Sequence, residues 1–479
     1  MPAAQSIVND VHSELNATTV GPIVQPTTHA ELCEIVRSAA RDGRSISICG
    51  SRHAMGGQQF LTGETLVDMR LLNRIIALDS DRGLVTAEAG IEWPALVAGY
   101  LEMQRQRDSS REPRWGIAQK QTGADSLTLG GALSANAHGR GLTMPPIVND
   151  VESFTLVNAT GEIVTCSRTQ NSELFSLAIG GYGLFGVIVT VTLRLCERVP
   201  VRRVVRLIDI DDAVNAARRR INEGFIYGDF QFDIDSTSRE FLTKGVFSCY
   251  EPARDAVPPA AADRELSAED WYNLLLLAHT NKTKAFGLYA QHYVATDGQL
   301  YWSDTHQLGL YLDGYHKRID VALGSPCKCS EMISELYVPH DRLVDFLHEA
   351  ARMLAGRGAE VIYGTIRLIR KDAETFLPWA AQDQSCVIFN LHVLHTDEGL
   401  DHARESFRAL FDLALDRGGR FFLTYHRWAR RDQLVRGYPQ LPAFLARKDF
   451  YDPAHLFSSD WHRWLRETIY ATPPSTGKS

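Results

Sequence analysis

The chain is most constrained by one stretch, QTGADSLTLGGALSANAHGRG at 121–141, which is dominated by Gly, Ala, Ser and Thr. Residues with so little side-chain bulk let the backbone approach another surface closely. A second stretch of this kind, GSRHAMGG at 50–57, lies upstream in the same half of the chain. Successive backbone N–H groups in such loops form a concavity that binds an anion without any lysine. The two stretches together predict a site for a pyrophosphate-bearing ligand.

The usual nucleotide-binding fingerprints are missing from the sequence. No Gly-x-Gly-x-x-Gly opens a helix after the first strand, and no Gly-Lys-Ser/Thr phosphate loop is present. Both motifs work by placing backbone N–H groups of a fixed loop against phosphates. A Rossmann domain and a P-loop domain are therefore disfavoured.

Length and charge exclude several classes of protein. A chain of 479 residues predicts two or three folded units, and its formal net charge of −8 gives no basic face for nucleic acid or an anionic membrane. The N-terminus lacks the basic start and apolar run of a signal peptide, and no stretch approaches the roughly 20 apolar residues of a spanning helix. We therefore expect a cytoplasmic protein without integral membrane insertion.

Cysteine usage indicates neither a disulfide framework nor a metal centre. The eight cysteines are scattered along the chain, and most are expected to be buried thiols. Cys327 and Cys329 form a Cys-x-Cys, but a second pair of ligands is missing. No metal is expected.

Periodicity in the first 200 residues alternates between helix and strand. Residues 28–42 have apolar residues at helical spacing, and 44–50 reads as a short buried strand. Residues 148–168 predict two strands joined by an Asn-Ala-Thr-Gly turn. Residues 177–195 predict a glycine-rich turn that leads into a β-branched strand. This half is mixed α and β.

The texture changes after Pro200, where we place a domain boundary. A polar, irregular stretch is expected from about 235 to 325. Beyond it, three runs predict strands of one sheet and two predict helices between them; the strands are 330–339, 361–370 and 385–395, and the helices are 341–358 and 401–419. Only the tail TPPSTGKS has a disordered composition. The second half is therefore a further α+β unit.

Three segments in order resemble the FAD-binding oxidases of the vanillyl-alcohol oxidase and p-cresol methylhydroxylase type. They are CGSRHAMGG, SLTLGGALSANAHGRG and FSLAIGGYGLFGVIVTVTLRL, and YDPAHLFSSDWHRWL resembles the segment with which such chains return to the flavin domain. The resemblance spans nearly the whole chain. FLTKGVFS, ELYVP and FSSD resemble the decaprenylphosphoryl-ribose oxidase branch, whereas His53 and the second loop resemble alditol and aldonolactone oxidases.

The resemblance implies an α+β flavoprotein with two domains. An FAD-binding domain would comprise residues 1–200, and a substrate or cap domain with an antiparallel sheet over the flavin would comprise 201–448. Residues 449–479 would return to the FAD domain. The implied cofactor is FAD.

His53 has two alternative roles under the resemblance. In many members a histidine in this loop is covalently bonded to the 8α-methyl group of the flavin, and in others the flavin is dissociable. Doubly linked members carry a cysteine in the second loop, and 121–141 contains none. A bicovalent flavin is therefore not expected.

The residues that the resemblance places at the cofactor lie in the three glycine-rich segments. His138 could be mistaken for a catalytic base, but the resemblance gives it a structural role in the diphosphate loop. The full set is Gly50, Ser51, Arg52, His53, Ala54, Gly57, Gln58, Thr122, Gly123, Asp125, Ser126, Gly130, Gly131, Ser134, Asn136, His138, Gly139, Gly141, Gly186, Val187 and Ile188.

Five residues are candidates for contact with the substrate: Glu335, Tyr337, Arg367, Tyr425 and His426. Strand alternation places Glu335 and Tyr337 on one face. Alditol-oxidase-like members carry Glu-x-Arg where this chain has Thr-Ile-Arg ending at Arg367, and a lysine where it has Tyr425 and His426. A histidine can serve as a base near neutral pH because its unperturbed pKa is about 6.5.

The implied reaction is oxidation of a C–OH or activated C–H bond of a small substrate, with hydride transfer to flavin N5. Dioxygen or another acceptor would reoxidise the flavin. Two alternatives stay open: a C=C reductase that uses NAD(P)H, and a degenerate flavin-binding protein without activity. A homodimer is also compatible with the sequence, since aromatic residues between 270 and 317 suit either a pocket or an interface.

Overall fold

The computed structural model describes residues 5–259, 264–309 and 314–471. The tail TPPSTGKS therefore lies outside the described residues. Up to residue 199 the strands are β1 (Ser6–Val8), β2 (Thr18–Val20), β3 (Ile23–Val24), β4 (Ile46–Cys49), β5 (Thr65–Asp68), β6 (Ile75–Asp79), β7 (Leu84–Glu88), β8 (Trp115–Gly116), β9 (Val151–Val157), β10 (Ile163–Ser167), β11 (Val187–Arg194) and β12 (Cys196–Glu197). The α-helices of this part are α1 (His29–Arg41), α2 (Trp93–Arg107), α3 (Leu129–Ala135) and α4 (Ser172–Ala178).

The remaining strands begin at Pro200: β13 (Pro200–Asp209), β14 (Tyr227–Phe232), β15 (Lys244–Pro252), β16 (Leu300–Trp302), β17 (Cys329–Pro339), β18 (Val361–Ile369), β19 (Gln384–Leu394) and β20 (Arg420–Phe421). The helices here are α5 (Ile210–Asn222), α6 (Ala268–Thr280), α7 (Lys282–Ala295), α8 (Tyr315–Leu323), α9 (Leu343–Arg357), α10 (Asp397–Leu415), α11 (Arg431–Gly437), α12 (Leu441–Tyr451) and α13 (Asp460–Tyr470). The mixed helix-and-sheet class is confirmed.

Small sheets organise the first part of the chain. A parallel sheet has the order β3-β5-β4, and a five-stranded antiparallel sheet has the order β10-β9-β11-β7-β6. β9 and β10 form the expected hairpin, with Ile163 opposite Val157. The valine and isoleucine residues of β11 are buried between its neighbours, as β-branched residues favour.

One eight-stranded antiparallel sheet dominates the rest of the fold, in the order β16-β13-β15-β14-β18-β19-β17-β20. The prediction that 330–339, 361–370 and 385–395 share a sheet is confirmed, since β17 and β18 both pair with β19. α9 lies between β17 and β18, but α10 follows β19 rather than preceding it.

The expectation of an irregular stretch from 235 to 325 is wrong. This region contains β15, β16 and the three helices α6, α7 and α8. The helices were not predicted because their apolar residues are not confined to one face, as in WYNLLLLA at 271–278. The sequence therefore lacks the amphipathic periodicity that indicates a helix. None of the helices in the described part of the chain combines the length and apolar character needed to cross a bilayer.

The end of the chain packs back onto the first sheet. Ile46 of β4 forms a parallel bridge with Phe457, and its N–H donates to the carbonyl of Leu456 at 2.7 Å. Phe457 is fully buried, and Trp461 of α13 stacks obliquely on Tyr182 with ring centroids 4.9 Å apart. Strand β4, which leads into the first small-residue loop, is therefore completed by residues some 400 positions later.

Candidate functional site

A cavity of about 1300 Å³ opens between the two small-residue loops. Its walls come from residues 48–54, from part of the segment 121–137, from Tyr182 and Gly186, and from Ile333 of β17. This volume includes space that is open to solvent. The cavity therefore borders both small-residue loops and opens at the surface.

The walls have the chemistry that FAD requires. Gly50 is pressed against Thr128 of the second loop: a Cβ added to Gly50 would lie 2.1 Å from Thr128 Oγ1. Among the described residues, Gln59 Oε1, Gln121 Oε1 and Thr122 Oγ1 are buried in this region without a hydrogen-bond partner. Buried polar atoms are normally paired, so unpaired ones indicate a missing ligand or water. The residues present fit the cofactor.

Two residues of the cavity wall have left-handed backbone conformations without being glycine. Arg52 has a φ of 60° and Tyr182 has a φ of 53°. Such conformations cost of order 1–3 kcal/mol each and are concentrated at ligand sites. Both of these residues, and His53 next to Arg52, line the cavity.

His53 lies against a second histidine that the sequence did not predict. His53 Nδ1 is 2.8 Å from Nε2 of His12, and the two ring centroids are 4.8 Å apart. Both rings line the cavity. Burial lowers the pKa of His12 well below its usual value, and the neighbouring charge of His53 lowers it further. One nitrogen of His53 is thus tied to a neutral ring.

Most of the predicted cofactor residues line this cavity. They are Gly50, Ser51, Arg52, His53, Ala54, Gln58, Thr122, Gly123, Gly130, Gly131, Ser134, Gly186 and Ile188. The structure does not place the others in its wall: Gly57, Asp125, Ser126, Asn136, His138, Gly139, Gly141 and Val187.

Apart from Ser126, those other residues contact protein instead. The Asn136 side chain donates to Asp372 at 2.9 Å, and Asp125 accepts an ion pair from Lys120 at 2.6 Å. Val187 belongs to a hydrophobic core. Gly57, Gly139 and Gly141 are packed against the side chain of Asn16, the backbone of Lys120 and the side chain of Met144, respectively. These loop positions hold the loops together rather than face the cavity.

His138 points away from the cavity and towards the eight-stranded sheet. Its Nε2 is 3.1 Å from Glu335 Oε2, and its Nδ1 is 2.9 Å from the carbonyl oxygen of Gly139. Both ring nitrogens face oxygen atoms. His138 joins the second loop to a carboxylate of β17.

Glu335 is the centre of a fully buried polar cluster. Its Oε2 also accepts from the Tyr337 hydroxyl at 2.8 Å, and its Oε1 accepts a short hydrogen bond from the Tyr425 hydroxyl. Cys386, on the neighbouring strand, lies 3.8 Å from the same carboxylate. Tyr337 stacks on Trp379, which fixes the position of the hydroxyl that donates to Glu335. Three donors around one carboxylate make a rigid acceptor.

Electrostatics keep this carboxylate ionised. Burial by itself raises the pKa of Glu335, but the charge and hydrogen bond of His138, the hydrogen bond from Tyr425 and the charge of Arg367 lower it to about 2. Burial raises the pKa of Tyr425 well above its usual value, and the charge of Glu335 raises it further. Tyr425 therefore holds its proton while it faces the cavity.

Arg367 supplies unpaired positive charge beside the cluster. It lies on β18 opposite Cys386, which places it on the same face of the sheet as Glu335 and Tyr337. Only 6% of its surface is exposed, and its Nε and Nη1 atoms are buried without a hydrogen-bond partner among the described residues. Arg367 lines a second, smaller cavity with Gly228 and Asp229 and does not line the cavity between the two loops.

The structure does not bring His426 into this group. Its ring lies among Phe407, Phe411 and Trp428, and it is absent from the cavity wall that its neighbour Tyr425 helps to form. Burial lowers the pKa of His426 to about 3. The hypothesis that His426 is the base receives no support from this position.

We expect the free energy of unfolding to depend less on acidic pH in His426→Phe than in the wild type. The pKa of this histidine is about 6.5 in the unfolded chain and lower in the folded one. Its contribution to stability is therefore complete above about pH 6.5 and is lost as the pH falls towards 3. The wild type should lose about 2 kcal/mol more than the variant between about pH 7.5 and about pH 5. Denaturant unfolding at both pH values measures the difference. The exposed His348 gives a control, and equal slopes in wild type and His426→Phe would contradict the prediction.

Sequence reasoning missed several residues that complete the site. His12, Tyr182 and Phe422 line the cavity, and Cys386 borders the carboxylate cluster. His12 sits in a segment without a motif, so no local signal marks it. Cys386 could have been found from the pairing of β17 with β19, in which it lies opposite Tyr337.

Comparison with known proteins gives the following similarities. The profile of the FAD binding domain matches residues 21–107. The chain is 34% identical to an uncharacterized oxidoreductase of the fasciation locus of Rhodococcoides fascians, over 36% of this chain and 37% of that protein. It is 22% identical to L-gulonolactone oxidase of Bos taurus, over 90% of this chain and 92% of that one. It is 25% identical to L-gulono-1,4-lactone dehydrogenase of Mycobacterium tuberculosis, over 92% and 95%, respectively.

Proposed function

We propose, since this chain belongs to the FAD-binding oxidoreductases of the vanillyl-alcohol oxidase and p-cresol methylhydroxylase type, that it oxidises a CH–OH group of a small polyhydroxylated substrate. FAD, when bound, supplies the hydride acceptor at its N5 atom. The observation that carries the proposal is the Tyr425–Glu335 pair, in which Tyr425 lines the cavity and donates its hydroxyl hydrogen to the buried carboxylate of Glu335.

The pair provides a route for the substrate's hydroxyl proton. Tyr425 donates its own proton to Glu335, so its oxygen lone pairs are available to a hydroxyl in the cavity. As the substrate hydroxyl loses its proton to Tyr425, Tyr425 passes its proton to Glu335 Oε1. His138 and Tyr337 hold the carboxylate in position on its other oxygen. The relay replaces a single base of matched pKa.

The proposed substrate class comes from the relatives, because Arg367 lines a second, smaller cavity and not the one between the loops. Two relatives aligned over nine-tenths of this chain are named for gulonolactone, a polyhydroxylated lactone. We therefore propose aldonolactones and related polyols as the substrate class to be screened first.

The proposal divides the chain into a cofactor part and a substrate part. Residues 1–200 with 449–479 would hold FAD, and 201–448 would place the eight-stranded sheet over the flavin. Two contacts support this division: the bridge between Ile46 and Phe457, and the hydrogen bond from His138 to Glu335. We also keep a cytoplasmic location and a homodimer as proposals, to be tested by cell fractionation and by light scattering.

The test is anaerobic flavin reduction by candidate substrates. Purified holoenzyme is mixed with L-gulono-1,4-lactone, other aldonolactones and alditols, and the flavin absorbance is followed. Bleaching by one of them, followed by recovery on admission of air or an artificial acceptor, supports the proposal and identifies the acceptor. Bleaching only by NAD(P)H would instead indicate the C=C reductase, and a flavin that no compound reduces would indicate the inactive binding protein.

We expect the flavin to remain with the protein after acid precipitation and to be lost from the pellet in His53→Ala. The prediction follows from the position of His53 in the cavity wall with its Nδ1 held by His12. Flavin fluorescence of the digested pellet, with mass spectrometry of the peptide that contains His53, measures it. His29, which pairs with Glu88 outside the cavity, gives the control variant. Release of all colour as free FAD from the wild type would contradict covalent attachment.

A further inference from the structure

A second cluster of ligand-type side chains lies farther along the same face of the large sheet. Glu331 precedes Glu335 by four residues on β17, and Ile333, which lines the cavity, lies between them on the same face. His392 is the direct cross-strand partner of Glu331 on β19. His279 reaches the pair from α6. Nothing in the proposed reaction uses these three residues.

The three side chains converge on one oxygen atom. Glu331 Oε1 lies 2.8 Å from His279 Nε2 and 3.2 Å from His392 Nδ1. The ligand atoms of the three residues all lie within 4.8 Å of one another. The exposed fractions of the side chains are 3% for His279, 4% for Glu331 and 15% for His392.

The hydrogen bond at the far nitrogen of His279 directs Nε2 of its ring towards Glu331. His279 Nδ1 lies 2.8 Å from the carbonyl oxygen of Leu275, an acceptor only, so Nδ1 carries a proton. A hydrogen bond from the far nitrogen to a backbone carbonyl is also the usual support of a histidine that binds metal.

The second oxygen of Glu331 is a further sign of a missing ligand. Glu331 Oε2 is buried and has no hydrogen-bond partner among the described residues. A buried carboxylate oxygen without a partner is costly, and metal coordination is one of the ways in which proteins satisfy it. Two imidazoles and a carboxylate form a ligand set that suits a divalent transition metal rather than Ca²⁺ or Mg²⁺, which prefer oxygen ligands.

We propose that His279, Glu331 and His392 bind one divalent transition metal ion of the Zn²⁺ type, which ties α6 to the large sheet beside the substrate cavity. Three protein ligands leave one position of a tetrahedral site for water or another donor. The site is separate from the Glu335 cluster and does not depend on the reaction proposed above.

The test is metal binding by the untagged holoenzyme, with Zn²⁺ and Co²⁺ as probes. We expect one equivalent of Zn²⁺ in equilibrium dialysis, and Co²⁺ bands at longer wavelength than the flavin absorbs. Glu331→Gln and His392→Gln should each weaken binding by at least the 10–100-fold that loss of an outer-shell partner costs. His348→Gln, at an exposed histidine 3.2 Å from Asp211, should bind as the wild type does.

Flavin content and circular dichroism show whether each variant is folded, and His392→Gln replaces Glu331→Gln if the latter fails to fold. Absence of Zn²⁺ binding by the wild type would overturn the proposal and leave a proton between His279 and Glu331. Binding that both ligand variants retain at full strength would also overturn it.

Discussion

Glu335→Gln should lower kcat/KM for the substrate that reduces the flavin by roughly 10²–10⁴-fold, the usual contribution of a positioned acid or base. The amide cannot take the Tyr425 proton, and its nitrogen would face either the Tyr425 hydroxyl or the donors of His138 and Tyr337. Because Glu335 is not part of the cavity wall, the flavin content should stay close to that of the wild type. Steady-state kinetics and the visible spectrum measure both quantities.

Removal of one member of a buried charged pair also costs about 3–5 kcal/mol of stability. Tyr425→Phe keeps Glu335 and His138 paired and interrupts the same proton route, so it serves where Glu335→Gln does not fold. Glu349→Gln, at a surface carboxylate paired with Arg417, is the matched control and should retain full activity. A loss of less than tenfold in both cluster variants with flavin retained would refute the relay.

Gly50→Val should empty the enzyme of flavin. The added Cβ would lie 2.1 Å from Thr128 Oγ1 and 2.9 Å from its Cγ2, so the first loop must move away from the second. Thr128 caps α3 by accepting from the N–H of Gly131, and it cannot move without disturbing that turn. Overpacking of this kind costs about 1–3 kcal/mol, which corresponds to roughly a 5- to 150-fold weaker affinity for FAD.

The flavin-to-protein ratio after purification, and titration of the apoprotein with FAD, measure this effect. Gly287→Ala is the control, since no atom lies within 4 Å of its added Cβ and the residue sits inside α7. That variant should retain flavin and unfold with about 0.5–1 kcal/mol more free energy, because alanine favours a helix over glycine. A Gly50→Val enzyme with full flavin content would show that the two loops do not grip the cofactor.

Features that depend on neighbouring residues could be predicted from the sequence, whereas contacts between residues far apart in the chain could not. The loops 50–57 and 121–141 are recognisable from their local composition, and most of their predicted residues line the cavity. His138 was expected in the same wall, yet its ring turns to Glu335, a partner almost 200 residues away. Such a contact depends on how the large sheet meets the loop, and no local pattern encodes it.

Contacts between distant parts of the chain also explain why the roles of His426 and His279 were not predicted. His426 follows Tyr425 directly, and only the fold decides which of the two rings enters the cavity. Helix α6 was missed because its run of four leucines has no polar stripe, and with it the meeting of His279 and Glu331 was missed. Chemistry that is assembled across strands and helices requires the register of β17 with β19 to be known.

The bridge between Ile46 and Phe457 determines when, during synthesis, the first sheet can be completed. A ribosome makes Ile46 early and Phe457 more than 400 residues later, at about 5–20 residues per second. The strand that carries the first loop therefore waits tens of seconds for its last neighbour, with an unpaired edge exposed meanwhile. Cofactor capture in its final form is then a post-translational event, and chaperones that shield the nascent N-terminal part should raise the yield of holoenzyme.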